Sequence, residues 1–142
     1  AVVYAAENPN IQVLEALLKK GGDIHTTDAI GYNLLMHSSN SDSYLEMAKY
    51  LLEKGIDVNA RTEHGNTALM FAADRVTDPR LVEMLIAAGA DINAEDDAGH
   101  TALFYAERDN PNPAVAMLLK KYATMIQPTS RNFGVITPSK IN

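Results

Sequence analysis

Two sets of glycines recur with one spacing, and that spacing limits what this chain can become. Gly31, Gly65 and Gly99 stand 34 residues apart, and so do Gly21, Gly55 and Gly89. Their neighbours repeat with them. Gly-Tyr-Asn-Leu-Leu-Met, Gly-Asn-Thr-Ala-Leu-Met and Gly-His-Thr-Ala-Leu-Phe open the first set. Gly-Gly-Asp-Ile-His-Thr, Gly-Ile-Asp-Val-Asn-Ala and Gly-Ala-Asp-Ile-Asn-Ala open the second. Two interleaved patterns in phase over most of 142 residues mean one structural unit copied along the chain.

The unit can be read residue by residue. Gly55 and Gly89 close the apolar-periodic stretches Leu45 to Lys54 and Leu81 to Ala88, as a left-handed residue closes a helix. Asp57-Val58-Asn59 and Asp91-Ile92-Asn93 then suit one arm of a hairpin, with Gly65 and Gly99 at its tight turn. Asn33, Thr67 and Thr101 are N-caps for a short first helix whose alanines keep it thin. Asp78-Pro79 and Asn112-Pro113 start the second helix, as does Asn10, with Asp42 or Ser43 as the cap in the second unit. Val13, Leu14, Leu17 and Leu18, then Leu81, Val82, Leu85 and Ile86, then Val115, Leu118 and Leu119 cover one face of that helix. Met36, Met47, Met70, Met84 and Met117 are expected to fill gaps between stacked helices.

Composition removes several classes of function. The formal net charge of −6, with Lys and Arg unclustered, argues against nucleic acid, which needs a basic footprint. No apolar run reaches the length of a membrane span. The absence of cysteine excludes disulfides, thiol catalysis and thiolate metal sites. It leaves the compartment open, with a soluble cytoplasmic setting favoured.

The repeated Gly-x-Thr-x-Leu and Gly-Ala-Asp-Ile-Asn-Ala segments resemble the ankyrin repeat family over about residues 1 to 123. The resemblance implies an all-α solenoid of about four helix-loop-helix units joined by short β-hairpins or turns. The units run 1–26, 27–60, 61–94 and 95–123, and the first enters partway through its first helix, so the whole protein is expected to extend N-terminally. The family's proline is replaced by Leu34, Ala68 and Ala102, and its histidine by Met36, Met70 and Phe104. The hydrogen bonds of that histidine are therefore expected to be missing, with rigidity resting more on packing. Residues 124–142 are read as a flexible tail, or as one that docks Phe133 and Val135-Ile136 on the last unit.

The resemblance further implies a protein-binding module whose concave side meets a partner. Carried over by position, that side comprises Thr27, Ala29, Ile30, Tyr32, Asn40 and Ser41 in the second unit. In the third it comprises Arg61, Glu63, His64, Asn66, Asp74 and Arg75, and in the fourth Glu95, Asp97, Ala98, His100, Arg108 and Asp109. Ile30 and Tyr32 stand out as an exposed anchor pair. The acidic run Glu95-Asp96-Asp97 points to a partner with a basic patch, met by a monomer. The alternative is a regulatory or targeting segment of a larger enzyme or receptor. His64 and His100, with Glu63, Glu95, Asp96 and Asp97 nearby, could supply zinc ligands, but no dedicated ligand spacing is present. Nor is there a nucleophile elbow, a phosphate loop or a His-Glu-x-x-His pair. No cofactor and no catalysis are expected. His25, in the register of Asn59 and Asn93, is expected to make structural hydrogen bonds, and His37 to be packed.

Overall fold

A computed structural model of the chain describes residues 10–39 and 41–126, the last three of these by backbone alone. Seven helices occur among them: α1 Ile11–Lys19, α2 Leu34–Ser38, α3 Leu45–Glu53, α4 Ala68–Arg75, α5 Pro79–Ala87, α6 Ala102–Asp109 and α7 Pro113–Ile126. A short 3-10 turn, Asp42–Tyr44, precedes α3. The first helices form one row, with α2 packed on α4 and α4 on α6. The second helices form another, α1 on α3, α3 on α5 and α5 on α7. Within the second, third and fourth units the two helices pack together, so the fold is the all-α repeat stack that the glycine period implies.

The helix starts follow the caps. The side chains of Asn33, Thr67 and Thr101 accept the N–H groups of Met36, Met70 and Phe104. Asn10, Asp78 and Asn112 do the same for Gln12, Arg80 and Ala114. At the other end, the Ile56 and Ala90 N–H groups reach back to the carbonyls of Leu51 and Leu85, closing α3 and α5 with a reversed last turn. Ala123 stands where the other units have glycine, and α7 runs past it to Ile126, three residues beyond the array boundary read from the sequence. The proposed docking of Phe133 and Val135-Ile136 lies outside the described residues.

One continuous core runs from Leu14 to Leu119. Ala72 and Ala73 are fully buried on α4, and it is their small size that lets adjacent helices approach closely. Met36, Met47 and Met70 are buried as expected, and Met84 is half-buried. Met117 is not a core residue: it is 68% exposed. It falls in the outward register of Lys49 and Glu83, a position the helix period assigns to solvent.

Three other expectations need correction. Asp57 and Asp91 accept the N–H groups of Asn59 and Asn93, so these stretches are side-chain-closed turns rather than hairpin arms. Asp42 does not cap α3. Its carboxylate reaches the next unit and accepts from the Thr77 hydroxyl at 2.6 Å and from the Thr77 and Asp78 N–H groups at 3.1 and 2.9 Å. His25 makes no side-chain hydrogen bond among the described residues, whereas Asn59 brackets the following unit, accepting from Asp91 N–H and donating to the Gly89 carbonyl.

The inter-helix loops are joined on both sides of the third unit. Asn110 donates to the carbonyls of Ala73 and Val76 at 2.8 and 2.7 Å, and Asn112 to that of Thr77 at 2.6 Å. The turn glycines carry the same packing. Gly65 has φ +83°, and a Cβ there would lie 3.2 Å from Asp96 Cα and 3.0 Å from the Arg61 guanidinium. Gly99 has φ +81° with open space around it. Gly99→Ala is therefore expected to cost the left-handed penalty alone, about 1–2 kcal/mol. Gly65→Ala should cost at least about 1 kcal/mol more, because a neighbouring backbone must move. Urea unfolding of the two variants measures the difference; equal losses would refute the close approach.

Candidate functional site

Three exposed turns precede α2, α4 and α6, each built on a polar residue in one register: Asp28, Thr62 and Asp96. In every turn the backbone closes twice. Asp28 N–H donates to the Tyr32 carbonyl at 3.0 Å and Gly31 N–H to that of Asp28 at 3.1 Å. Thr62 with Asn66 and Gly65, and Asp96 with His100 and Gly99, repeat this at 2.9–3.0 Å. The side-chain oxygen of the first residue then accepts two more N–H groups: Ile30 and Tyr32 on Asp28, His64 and Asn66 on Thr62, Ala98 and His100 on Asp96. A short side chain thereby satisfies donors that the turn would otherwise leave to water.

A second register, His37, Phe71 and Tyr105, completes each turn. His37 Nε2 lies 3.0 Å from Asp28 Oδ2, and the Tyr105 hydroxyl donates to Asp96 Oδ2. Thr62 has no second oxygen to offer, and Phe71 in the matching position packs instead on the Tyr32 ring, centroids 4.9 Å apart. In the two turns that begin with aspartate, the side chain one residue beyond Met36 or Phe104 adds a hydrogen bond, so these turns do not rest on packing alone.

The turns are also tied to each other. Glu63 N–H donates to the Ile30 carbonyl at 3.3 Å, and Asp97 N–H to that of His64 at 3.0 Å. Arg61 reaches the carbonyl of Glu95, and Asn66 donates to Asp96 Oδ2 at 3.3 Å. The result is a continuous row rather than three separate loops.

On this row Ile30 is 47% exposed, and Thr27, Ala29, Arg61, Glu63, His64, Glu95, Asp97 and Ala98 are exposed as well. Tyr32 is half-buried between Phe71 and His37, so it is not the exposed partner of Ile30 that the sequence implies. Asn66 is half-buried under the tip, and Ser41 caps the 3-10 turn through Ser43 N–H. Asn40 lies outside the described residues. His100 stacks on Phe104 at 3.8 Å, and Arg108 lies over the other end of that cluster, 5.0 Å from the Phe104 ring. The side chain of His64 is 76% exposed, with Glu63 beside it at 3.7 Å. Among the described residues no three His, Asp or Glu side chains gather as metal ligands.

Asp74, Arg75, Arg108 and Asp109 meet at the ends of α4 and α6. Arg75 pairs with Asp74 at 3.5 Å and Arg108 with Asp109 at 2.6 Å. Burial, then the hydrogen bond and charge of Asp109, push the Asp74 carboxyl above its usual range. Arg108 holds Asp109 below it, so Asp74 is the partner that keeps a proton longest. Asp28 and Asp96 behave oppositely. Burial would raise both, but for Asp28 the Tyr32 and Ile30 N–H groups, and for Asp96 the Tyr105 hydroxyl and the His100 N–H, outweigh it and hold the carboxyls low.

Residues 2–96 match the family described as ankyrin repeats (3 copies). A search of curated proteins finds no match to the chain.

Removing Asp96 strands two N–H groups, the Tyr105 hydroxyl and the Asn66 amide. Asp96→Ala is expected to cost about 2 kcal/mol in urea unfolding, against less than about 0.5 kcal/mol for the exposed Glu95→Ala. Because the folded carboxyl titrates below its usual value of 3.8, its contribution is full above that value and disappears as the pH falls through the folded one. The gap between wild type and Asp96→Ala should therefore narrow as the pH falls below 3.8; a constant gap would show that the charge is not involved.

Proposed function

Because the chain belongs to the ankyrin repeat family, whose units generally serve as protein-protein interaction modules, we propose that it captures a partner protein on the row of turns and the adjoining ends of α4 and α6. The observation that carries this reading is the row itself. Its backbone is fixed by hydrogen bonds within and between turns, while its outward side chains remain exposed. A surface ordered in advance binds without the entropic cost of ordering it at the encounter.

The chemistry favours a partner bearing a basic patch. Asp28, Glu63, Glu95, Asp96, Asp97 and Asp109 lie on or beside the row. The arginines there are already engaged, Arg61 with the Glu95 carbonyl, Arg75 with Asp74 and Arg108 with Asp109. Such an excess of carboxylate repels phosphate backbones and draws cationic side chains at a distance. Ile30 supplies the apolar contact at one end of the row. Its sec-butyl side chain can be desolvated by a partner without any change in this fold. No described helix is long and apolar enough to cross a membrane. The family is a non-catalytic one, and the chain is proposed to act as a monomer without cofactor.

Partners recovered from the source cells separate two contributions. Ile30→Ser is expected to weaken the complex at least about tenfold while leaving the melting temperature unchanged, since Ile30 packs no core. Tyr32→Ala is not a clean test, because it also removes the Phe71 contact and lowers stability. Glu95→Lys with Asp97→Lys should slow association and flatten its salt dependence, with little change in dissociation. Binding indifferent to both Ile30→Ser and the charge reversal would refute the proposed surface.

A further inference from the structure

The two seams that flank the third unit are closed at their loop ends by different means. α6 runs to Asp109 alongside α4, which ends at Arg75 in the same register, so these two units meet helix on helix up to the loop. α2 stops at Ser38, in the register of Ala72, so α4 continues to Arg75 beyond the end of the helix it packs on. The polar contacts differ as well. Asn110 and Asn112 hold the carbonyls of Ala73, Val76 and Thr77 with uncharged amides. Asp42, in the register of Asn110, reaches the other way, and its one carboxylate takes the Thr77 hydroxyl and the Thr77 and Asp78 N–H groups. It does so beside a like charge. Burial and the neighbouring Asp78 carboxylate oppose ionisation of Asp42, and the Thr77 hydroxyl with the Asp78 and Thr77 N–H groups outweighs both, holding the carboxyl below its usual 3.8. Arg80 is the cation that faces them, bound to Asp78 at 2.6 Å and drawn also by Glu46 and Asp42. The turn end of the same seam is tied by separate groups. Asn59 accepts from Asp91 N–H at 2.8 Å and donates to the Gly89 carbonyl at 3.0 Å, and Glu63 N–H reaches the Ile30 carbonyl.

We propose that the seam between the second and third units is a hinge, pivoting at its turn end on Asn59 and latched at its loop end by Asp42. When the latch lets go, the C-terminal end of α2 and the N-terminal end of α3 part from the matching ends of α4 and α5, while the row of turns stays joined. The next seam keeps its helix-on-helix contact and stays shut. Local opening of this kind follows the part of a fold with the least contact, and here that part is the corner that rests on one carboxylate. Ser41 stands on one side of the opening and Asp74 and Arg75 on the other, so the latch sets the spread of the concave wall beyond the turns. The hinge rests on contacts within the chain and does not depend on the partner-binding reading.

The chain has no cysteine, so introduced cysteines carry nitroxide labels at chosen positions alone. Lys49, Glu83 and Met117 are exposed and share one register on α3, α5 and α7. In the full chain, Lys49→Cys with Glu83→Cys reports the latched seam, and Glu83→Cys with Met117→Cys reports the next one. Adding Asp42→Ala should cut the dipolar broadening of the first pair several-fold and leave that of the second unchanged, with the helical circular dichroism retained. Thr77→Val keeps both N–H bonds to Asp42, so it should give a smaller loss in the first pair, and it serves as the test should Asp42→Ala fail to fold. Asn112→Ala should leave the second pair coupled, because the helices still meet there. Broadening lost from both pairs together would mean that the stack loosens as a whole, which overturns the hinge. Broadening in the first pair that ignores both Asp42→Ala and Thr77→Val overturns the latch. Hydrogen exchange on the unlabelled chain reads the pivot independently. Asp42→Ala should speed exchange of the Thr77 and Asp78 N–H groups and leave those of Glu63 and Asp91 as slow as before; faster exchange at Asp91 would refute the pivot.

Discussion

No unit of this protein can bury its own two flanks, and everything else in the structure follows from that. A pair of helices five to fourteen residues long has too little interior to hold itself together, so each pair leans on its neighbours along the stack. Leu14, Leu51, Leu85 and Leu119 sit in successive units, all fully buried, within one core that crosses every unit boundary. Stability is therefore a property of the seams. Two seams run along the stack, one at the turns and one at the loops between helices, and both use polar groups at the edges of the apolar interior.

The seams keep their geometry while changing their chemistry. At the turns, Asp28 takes a hydrogen bond from His37 and Asp96 takes one from Tyr105, while Thr62 is matched with Phe71. A carboxylate has an oxygen left over after closing the turn and is given a donor; a threonine has none and is given a hydrocarbon ring. At the loops, Asp42 accepts from backbone N–H groups of the next unit, and Asn110 donates to backbone carbonyls of the preceding one. What recurs is the satisfaction of the same backbone groups, rather than any particular side chain.

This explains which features were legible in the sequence. The glycines, caps and helix faces recur because they answer local requirements that are identical in every unit, such as a left-handed residue or an acceptor for the N–H three positions on. Asp42 was misread as a cap because its side chain answers a group 35 residues away. The shortness of α2 was likewise hidden. Ser38 and Ser39 turn their hydroxyls onto the carbonyls of Leu34 and Leu35, where α4 has Ala72 and Ala73 and continues to Arg75. On the binding surface, the positions along the row could be named from register, but not which side chains were free. Ile30 is exposed, and Tyr32 is drawn under by Phe71 of the next unit.

The sequence by itself determined the repeat length, the number and order of the helices it spans and the places where they begin. Those are short-range matters of periodicity, capping and chain reversal, and the chain states them once per unit. The tertiary structure decided which oxygen of Asp28 or Asp96 meets which donor, that Met117 faces solvent while Met70 does not, and that the last turn lies open. Each of these depends on what the neighbouring unit brings to the contact. A period says that a neighbour is present; the stacked coordinates say what it offers.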